Sequence, residues 1–178
     1  MAQTSREDRK KKVVDALNRA RAMELQAIHQ YMNQHYNLDD RDYGELARNI
    51  KLIAIDEMRH AEAFAERIKE LGGEPTTEMA GPVEKGQAVE AIYPADSKAE
   101  DDAIVAYNGF LQVCLENGDS TTAKLFETVI DEEQAHLNYF DNVKDHIENL
   151  GASYLARIAG TSASTGPATK GFVLGGEA

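Results

Sequence analysis

DEMRHAEAF (residues 56–64) and EEQAHLNYF (residues 132–140) share one pattern: a glutamate, a histidine three residues later, and a phenylalanine four residues after that. Apolar side chains recur at helical spacing around both stretches, so Glu57, His60, Glu133 and His136 fall on faces that are otherwise apolar. Burying charged groups costs free energy unless something pairs them. The two stretches therefore predict a polar site inside a helical protein.

Two further glutamates interrupt apolar stripes in the same way. Glu24 lies among inward positions of a first predicted helix, and Glu100 among those of a third. Each precedes the glutamate of the next helix by 33 residues, and an offset of 76 residues superimposes the two halves of the chain. That offset carries one set of three side chains onto the other: Glu24, Glu57 and His60 onto Glu100, Glu133 and His136.

The breaks between apolar stripes predict an all-α fold. Polar or glycine-containing turns at 37–40, 72–73 and 117–119 separate four long amphipathic helices, and ASYLARIA (152–159) predicts a short fifth one. Helices of about 30 residues are about 45 Å long, and the extended 72–86 segment reaches about 50 Å. We therefore predict an up-down four-helix bundle with a long crossover between helices 2 and 3, which places helix 3 parallel to helix 2.

Local signals predict the helix starts and the domain limits. Thr4 or Ser5 is expected to cap the first helix, and Ser120 the fourth. We predict one helical-bundle domain over 1–159 and a Gly/Ser/Thr-rich tail over 160–178. The tail is expected to be mobile, or to be docked only through a partner subunit.

Composition excludes several classes of partner. The 178-residue chain has 31 acidic and 19 basic residues, a net charge of −12, which argues against nucleic acid. No stretch approaches the roughly 20 apolar residues of a membrane helix. A single cysteine, Cys114, fits a reducing cytoplasm.

The spacing also predicts that the six side chains meet. The midpoint of Glu24 and Glu57, like that of Glu100 and Glu133, falls on a predicted turn, so each pair lies side by side near mid-bundle. Four carboxylates and two imidazoles, given as Glu from two helices and Glu-x-x-His from two others, are typical of di-metal bundle proteins. Iron, manganese and zinc all suit this set, and the residues alone do not choose among them.

Four stretches resemble the bacterioferritins, a family of the ferritin-like superfamily: ELQAIHQY (24–31), DEMRHAE (56–62), DEEQAHLNYF (131–140) and NLGASYLARI (149–158). The resemblance covers about residues 7–158. It implies a cytoplasmic iron-storage ferroxidase that oxidises Fe(II) with O2 or H2O2. It also implies a cage of 24 subunits built of dimers around a ferric mineral, with a small electron-transfer protein as a partner for iron release.

The resemblance assigns roles residue by residue. It implies two iron ions per subunit, bridged by two glutamates and completed by one Glu–His pair each. It also implies that Met58, from each of two subunits, ligates one haem-type iron porphyrin per subunit pair. Tyr31 matches a family tyrosine near the centre, where it serves either as an electron donor or in packing. The implied bridging glutamates are Glu57 and Glu133; the implied pairs are Glu24 with His60 and Glu100 with His136.

Three further histidines and one aspartate are expected to lie outside the set of six side chains. His29, His35 and His146 are expected at the surface or at subunit contacts. Asp56 matches a cavity-side position where the family binds iron in transit. The route by which iron enters is left open, because two positions that carry carboxylates in some relatives hold Gly72 and Asn138 here.

Two other classes of function remain as alternatives. One is a free-standing di-metal redox enzyme, such as a rubrerythrin-like peroxidase or a manganese catalase; the lack of a Cys-x-x-Cys pair disfavours the former. The other is a non-enzymatic scaffold or a DNA-protecting mini-ferritin, which the acidic charge disfavours.

Overall fold

The computed structural model describes residues 5–161 and 170–175. Within these residues the chain is helical, and the predicted four-helix bundle with a short fifth helix is confirmed. None of the described helices is both long enough and apolar enough to cross a bilayer. The helices are α1 (Arg6–Asp40), α2 (Gly44–Glu70), α3 (Val89–Glu116), α4 (Ser120–Leu150), α5 (Ala152–Ile158) and α6 (Phe172–Gly175).

The crossover between α2 and α3 runs along α1. Asn18 donates to the carbonyl of Glu74 (3.1 Å) near one end, and Gln30 donates to the carbonyl of Glu84 (3.0 Å) further along. The Glu84 N–H in turn donates to the Gln30 side chain (2.8 Å). Since the crossover follows α1 for this distance, α3 begins at the same end as α2 and runs parallel to it, as predicted.

The end of α2 follows from two glycines. Gly72 has φ +81°, a left-handed conformation that glycine adopts without steric cost. Its N–H donates to the carbonyl of Lys69 (3.0 Å), and the Gly73 N–H donates to the carbonyl of Ile68 (2.9 Å). This pair of hydrogen bonds satisfies the last carbonyls of the helix and confirms the turn predicted at 72–73.

The structure confirms the predicted capping residue of α1 but not that of α4. Ser5 caps α1, because its hydroxyl accepts an N–H of the first turn at 3.1 Å; Thr4 lies outside the described residues. The cap of α4 is Asp119, so the prediction of Ser120 is wrong. The Asp119 carboxylate accepts from the Thr122 N–H (3.0 Å) and hydroxyl (2.7 Å), whereas Ser120 is already the first helical residue.

The apolar core forms two layers with a polar level between them. One layer lies toward the α1–α2 turn and includes Tyr93 and Phe140, and the other lies toward the α3–α4 turn and includes Phe64 and Phe126. On all four long helices, the predicted inward glutamates fall between the residues of these layers. The polar site is therefore closed off by packed side chains above and below.

The C-terminal segment differs from expectation where it is described. Residues 170–175 pack against α2 and α4 of the same chain, rather than only on a partner subunit. Residues 162–169 and 176–178 lie outside the described part, and the division into 1–159 and 160–178 stays a prediction. Thr161 anchors the chain before this segment, because its hydroxyl accepts the Glu45 N–H at the start of α2 (3.0 Å).

Candidate metal centre

All six side chains singled out from the sequence lie together at mid-bundle. α1 and α3 each provide one glutamate, and α2 and α4 each provide a glutamate and a histidine one helical turn apart. Every one of them is buried: Glu24, Glu57, His60, Glu100, Glu133 and His136. Their role as metal ligands stays a prediction, which the geometry below supports.

The six side chains form two overlapping groups of four. In each group the ligand atoms lie within 4.8 Å of one another, a spacing that suits one metal ion. Glu57 and Glu133 belong to both groups, whereas each Glu–His pair belongs to one. The groups are Glu24, Glu57, His60 and Glu133, and Glu57, Glu100, Glu133 and His136.

The shared carboxylates lie between the two imidazoles. His60 Nδ1 is 2.9 Å from Glu57 Oε2 and 3.3 Å from Glu133 Oε1. His136 Nδ1 is 3.0 Å from Glu133 Oε2 and 3.2 Å from Glu57 Oε1. Each of these two glutamates thus directs one oxygen toward each histidine, as a bridging carboxylate does.

Two tyrosines, which the 76-residue repeat relates to each other, hydrogen-bond to the outer glutamates Glu24 and Glu100. The Tyr31 hydroxyl donates to Glu100 Oε1, and the Tyr107 hydroxyl donates to Glu24 Oε1 at 2.6 Å. Each tyrosine therefore reaches from one repeat to the glutamate of the other. Both phenols are buried, and burial with the nearby carboxylates raises the pKa of each well above its ordinary value.

The far nitrogen of each histidine also has a carboxylate partner, which the sequence analysis did not identify. His60 Nε2 lies 2.9 Å from Glu132 Oε2, and His136 Nε2 lies 3.4 Å from Asp56 Oδ2. The offset of 76 residues relates Asp56 to Glu132, so the repeat extends beyond the six side chains. Such partners fix the ring orientation of a metal-binding histidine.

The centre brings four buried carboxylates together with only two imidazoles. Burial, and then repulsion from Glu133 and Glu57, raises the pKa of both Glu24 and Glu100 well above the ordinary value. Burial opposes ionisation of Glu133 too, yet hydrogen bonds from His136 and His60 hold its pKa below the ordinary value. Two divalent cations would balance the four carboxylates at this level.

The centre opens to a cleft between α1 and α3. The cleft has a volume of about 230 Å³, and Gln30 and Asp96 line it beyond the glutamates. Asp96 is buried and accepts from the Gln34 side chain (2.8 Å), which also donates to Gln87 (2.9 Å). Burial raises the pKa of Asp96 from 3.8 to about 8.

We predict that Asp96→Asn stabilises the metal-free protein near pH 8. The carboxyl group loses its proton above pH 3.8 when unfolded but only above about pH 8 when folded, so it lowers stability increasingly across that window. The variant should therefore unfold at a higher denaturant concentration at about pH 8, with a gain of several kcal/mol, and the gain should vanish near pH 4. Asp101→Asn, at an exposed position of α3, is the control. A variant no more stable than the unchanged protein at pH 8 would refute this.

The methionine and the three other histidines singled out from the sequence lie outside the cluster of six side chains. Met58 is 43% exposed on α2, beside Glu57 but directed to the surface. His29 and His146 are exposed, as expected. The expectation for His35 is wrong, because it is buried and its Nδ1 lies 2.8 Å from the carbonyl of Ala47 across the α1–α2 hairpin.

Comparisons with known proteins agree with this architecture. Residues 14–150 match the Ferritin-like domain family. The chain is 69% identical to bacterioferritin of Desulfovibrio desulfuricans over 169 residues, which cover 95% of this chain and 94% of the relative. A crystal structure of that protein, describing its diiron site in different catalytic states, matches with a TM-score of 0.92 and 68% identity over 96% of this chain and 99% of the other.

A more distant structure matches as well. Bacterioferritin of Rhodobacter capsulatus, solved with a metal-free dinuclear site and haem iron, has a TM-score of 0.80 at 28% identity, over 84% of this chain and 94% of the other. The family is shown by the identity and coverage of the Desulfovibrio relative together with the matched domain. The chain belongs to the bacterioferritins, within the ferritin-like family.

Proposed function

We propose that this protein stores iron and oxidises Fe(II) to Fe(III) at a di-iron ferroxidase centre within each subunit. One observation carries the proposal: two groups of four buried ligands overlap in Glu57 and Glu133. The diiron site described for the Desulfovibrio relative supports it further. Iron is preferred to manganese or zinc on the strength of that relative.

The donor set fits two iron ions. Glu57 Oε1 is buried within the cluster and accepts no well-aligned hydrogen bond from the described residues, although His136 Nδ1 lies 3.2 Å away. A buried acceptor of this kind costs free energy unless a ligand satisfies it. Carboxylate oxygens and imidazole nitrogens are suitable ligands for iron in both oxidation states.

Each residue has a proposed role in the reaction. Glu24 and His60 hold one Fe(II) substrate, Glu100 and His136 hold the other, and Glu57 and Glu133 bridge them. The two ions supply two electrons, which reduce one O2 to H2O2 or one H2O2 to two waters with uptake of two protons. The carboxylates balance the charge that this oxidation adds, while the Tyr31 and Tyr107 hydroxyls keep the outer glutamates oriented.

The wider assembly is part of the same proposal. Bacterioferritin subunits of this kind are proposed to pair and to form a cage of 24 copies in the cytoplasm, in which the ferric product mineralises. Met58 of each subunit in a pair would ligate the iron of one shared haem, as an exposed thioether at a pair interface could. The haem would pass electrons from a small electron-transfer protein for iron release; the haem iron of the Rhodobacter relative supports this assignment.

Size-exclusion chromatography after aerobic loading with excess Fe(II) tests the proposal. Protein, Soret and ferric absorbance should elute together in one particle of roughly half a megadalton, the size of a closed cage. Elution as a dimer or tetramer without ferric absorbance would refute storage and would favour a free-standing di-metal redox enzyme. A loaded cage without Soret absorbance would refute only the haem.

A further inference from the structure

The described C-terminal segment reaches the metal centre from the side opposite the cleft. The cleft opens between α1 and α3, whereas residues 170–175 pack against α2 and α4. Phe172 lies against both His136 and Tyr139, with ring centroids 6.2 Å and 5.1 Å apart. This segment therefore covers the face of the bundle behind His136.

Asp56 joins the segment to the centre. The Val173 N–H donates to Asp56 Oδ2 at 2.9 Å, and the same oxygen lies 3.4 Å from His136 Nε2. Gly171 approaches Asp56 so closely that a Cβ atom there would lie 1.7 Å from Asp56 Oδ1 and 2.3 Å from its Cγ. Any other residue at position 171 would therefore force the two apart.

This contact makes the two halves of a symmetric centre unequal. Glu132 occupies the repeat position of Asp56 and pairs with His60 in the same way. Its side chain remains 29% exposed, whereas that of Asp56 is 0% exposed under the segment. One histidine thus has a partner that can move into solvent, and the other has a partner that is held.

We propose that Gly171–Val173 is an intramolecular strap that positions His136 through Asp56. The strap keeps the His136 imidazole turned toward Glu57 and Glu133 and closes this face of the centre. A metal ion at His136 is consequently bound more tightly than a metal ion at His60. Asp56 and Gly171 are positioning residues, and the statement about metal affinity rests on the proposed di-iron centre.

Chemical modification of histidines in the metal-free protein tests the strap without any metal. Diethyl pyrocarbonate labelling, read residue by residue by mass spectrometry, should modify His136 several-fold faster in Gly171→Leu, and also in a chain ending after Lys170. His60 should react at an unchanged rate and serves as the internal reference. Leu174→Ala, in the same segment but at an exposed side chain, is the matched control and should behave as the unchanged protein. Equal His136 labelling in all four proteins would overturn the strap.

Cobalt(II) titration of the same four metal-free proteins tests the consequence for the metal. The unchanged protein and Leu174→Ala should bind two ions per subunit in two steps. Gly171→Leu and the shortened chain should lose roughly 10- to 100-fold in affinity at one step only, the usual effect of losing the partner of a metal-binding histidine. Equal weakening of both steps, or of neither, would overturn the inference. If the unchanged protein binds no cobalt, the proposed di-iron function fails, and the labelling result alone decides whether the strap holds His136.

Discussion

Glu57→Gln is expected to abolish rapid iron oxidation. Glutamine has the size of glutamate but offers one neutral oxygen where Glu57 directs an oxygen toward each of His60 and His136. The loss of a bridging carboxylate should weaken both metal positions at once. Losing even a residue that hydrogen-bonds to a metal ligand lowers metal affinity or activity by 10- to 100-fold. We therefore expect the stopped-flow rate of Fe(II) oxidation by O2 to fall by roughly 100-fold or more.

A matched variant separates this effect from a general change of charge. Glu62→Gln removes one carboxylate at an exposed position of α2, five residues after Glu57 and two after His60. It should keep the unchanged rate and bind two cobalt(II) ions per subunit. A Glu57→Gln protein that oxidises Fe(II) as fast as Glu62→Gln would contradict the assignment of Glu57 as a bridge.

Met58→Leu is expected to abolish the proposed haem binding completely. Leucine keeps the volume and apolar character of the side chain but has no sulfur to donate to iron. Met58 is 43% exposed within a single chain, so its thioether is available to a group shared with a second subunit. The purified variant should show no Soret band, while its rapid Fe(II) oxidation and its two cobalt(II) ions per subunit should remain.

Met79→Leu is the control for this change. Met79 is 42% exposed in the crossover, so the two methionines are equally accessible in one chain. Only the Met58 variant should lose Soret absorbance when both are expressed with added haem. Equal Soret absorbance in the two variants would show that another side chain holds the porphyrin.

The repeat explains why the centre could be found from the sequence. Helical periodicity places Glu24 and Glu100 on inward faces, and equal distances from the turns place them level with Glu57 and Glu133. These relations are local or depend on one offset, so they need no knowledge of tertiary contacts. The same offset would have identified Glu132 from Asp56, had the far nitrogen of each histidine been considered.

Other features depend on contacts that periodicity does not encode. His35 is buried because the carbonyl of Ala47 meets its ring across the hairpin, although its sequence neighbours are polar. The docking of Gly171 depends on a close fit to a side chain on α2, more than one hundred residues earlier. A glycine in a Gly/Ser/Thr-rich tail gives no sign of such a partner, so the sequence predicts only a tail that is mobile or docked through a partner subunit.

Anomalous diffraction at the iron edge tests the central claim most directly. Crystals grown from metal-free protein and soaked anaerobically in Fe(II) should show two peaks per subunit at mid-bundle. The peaks should lie roughly 3.5–4 Å apart, as in other two-metal sites, with Glu57 and Glu133 between them and one histidine at each. A single peak, or peaks confined to the acidic surface, would contradict a di-iron centre built from the two repeats.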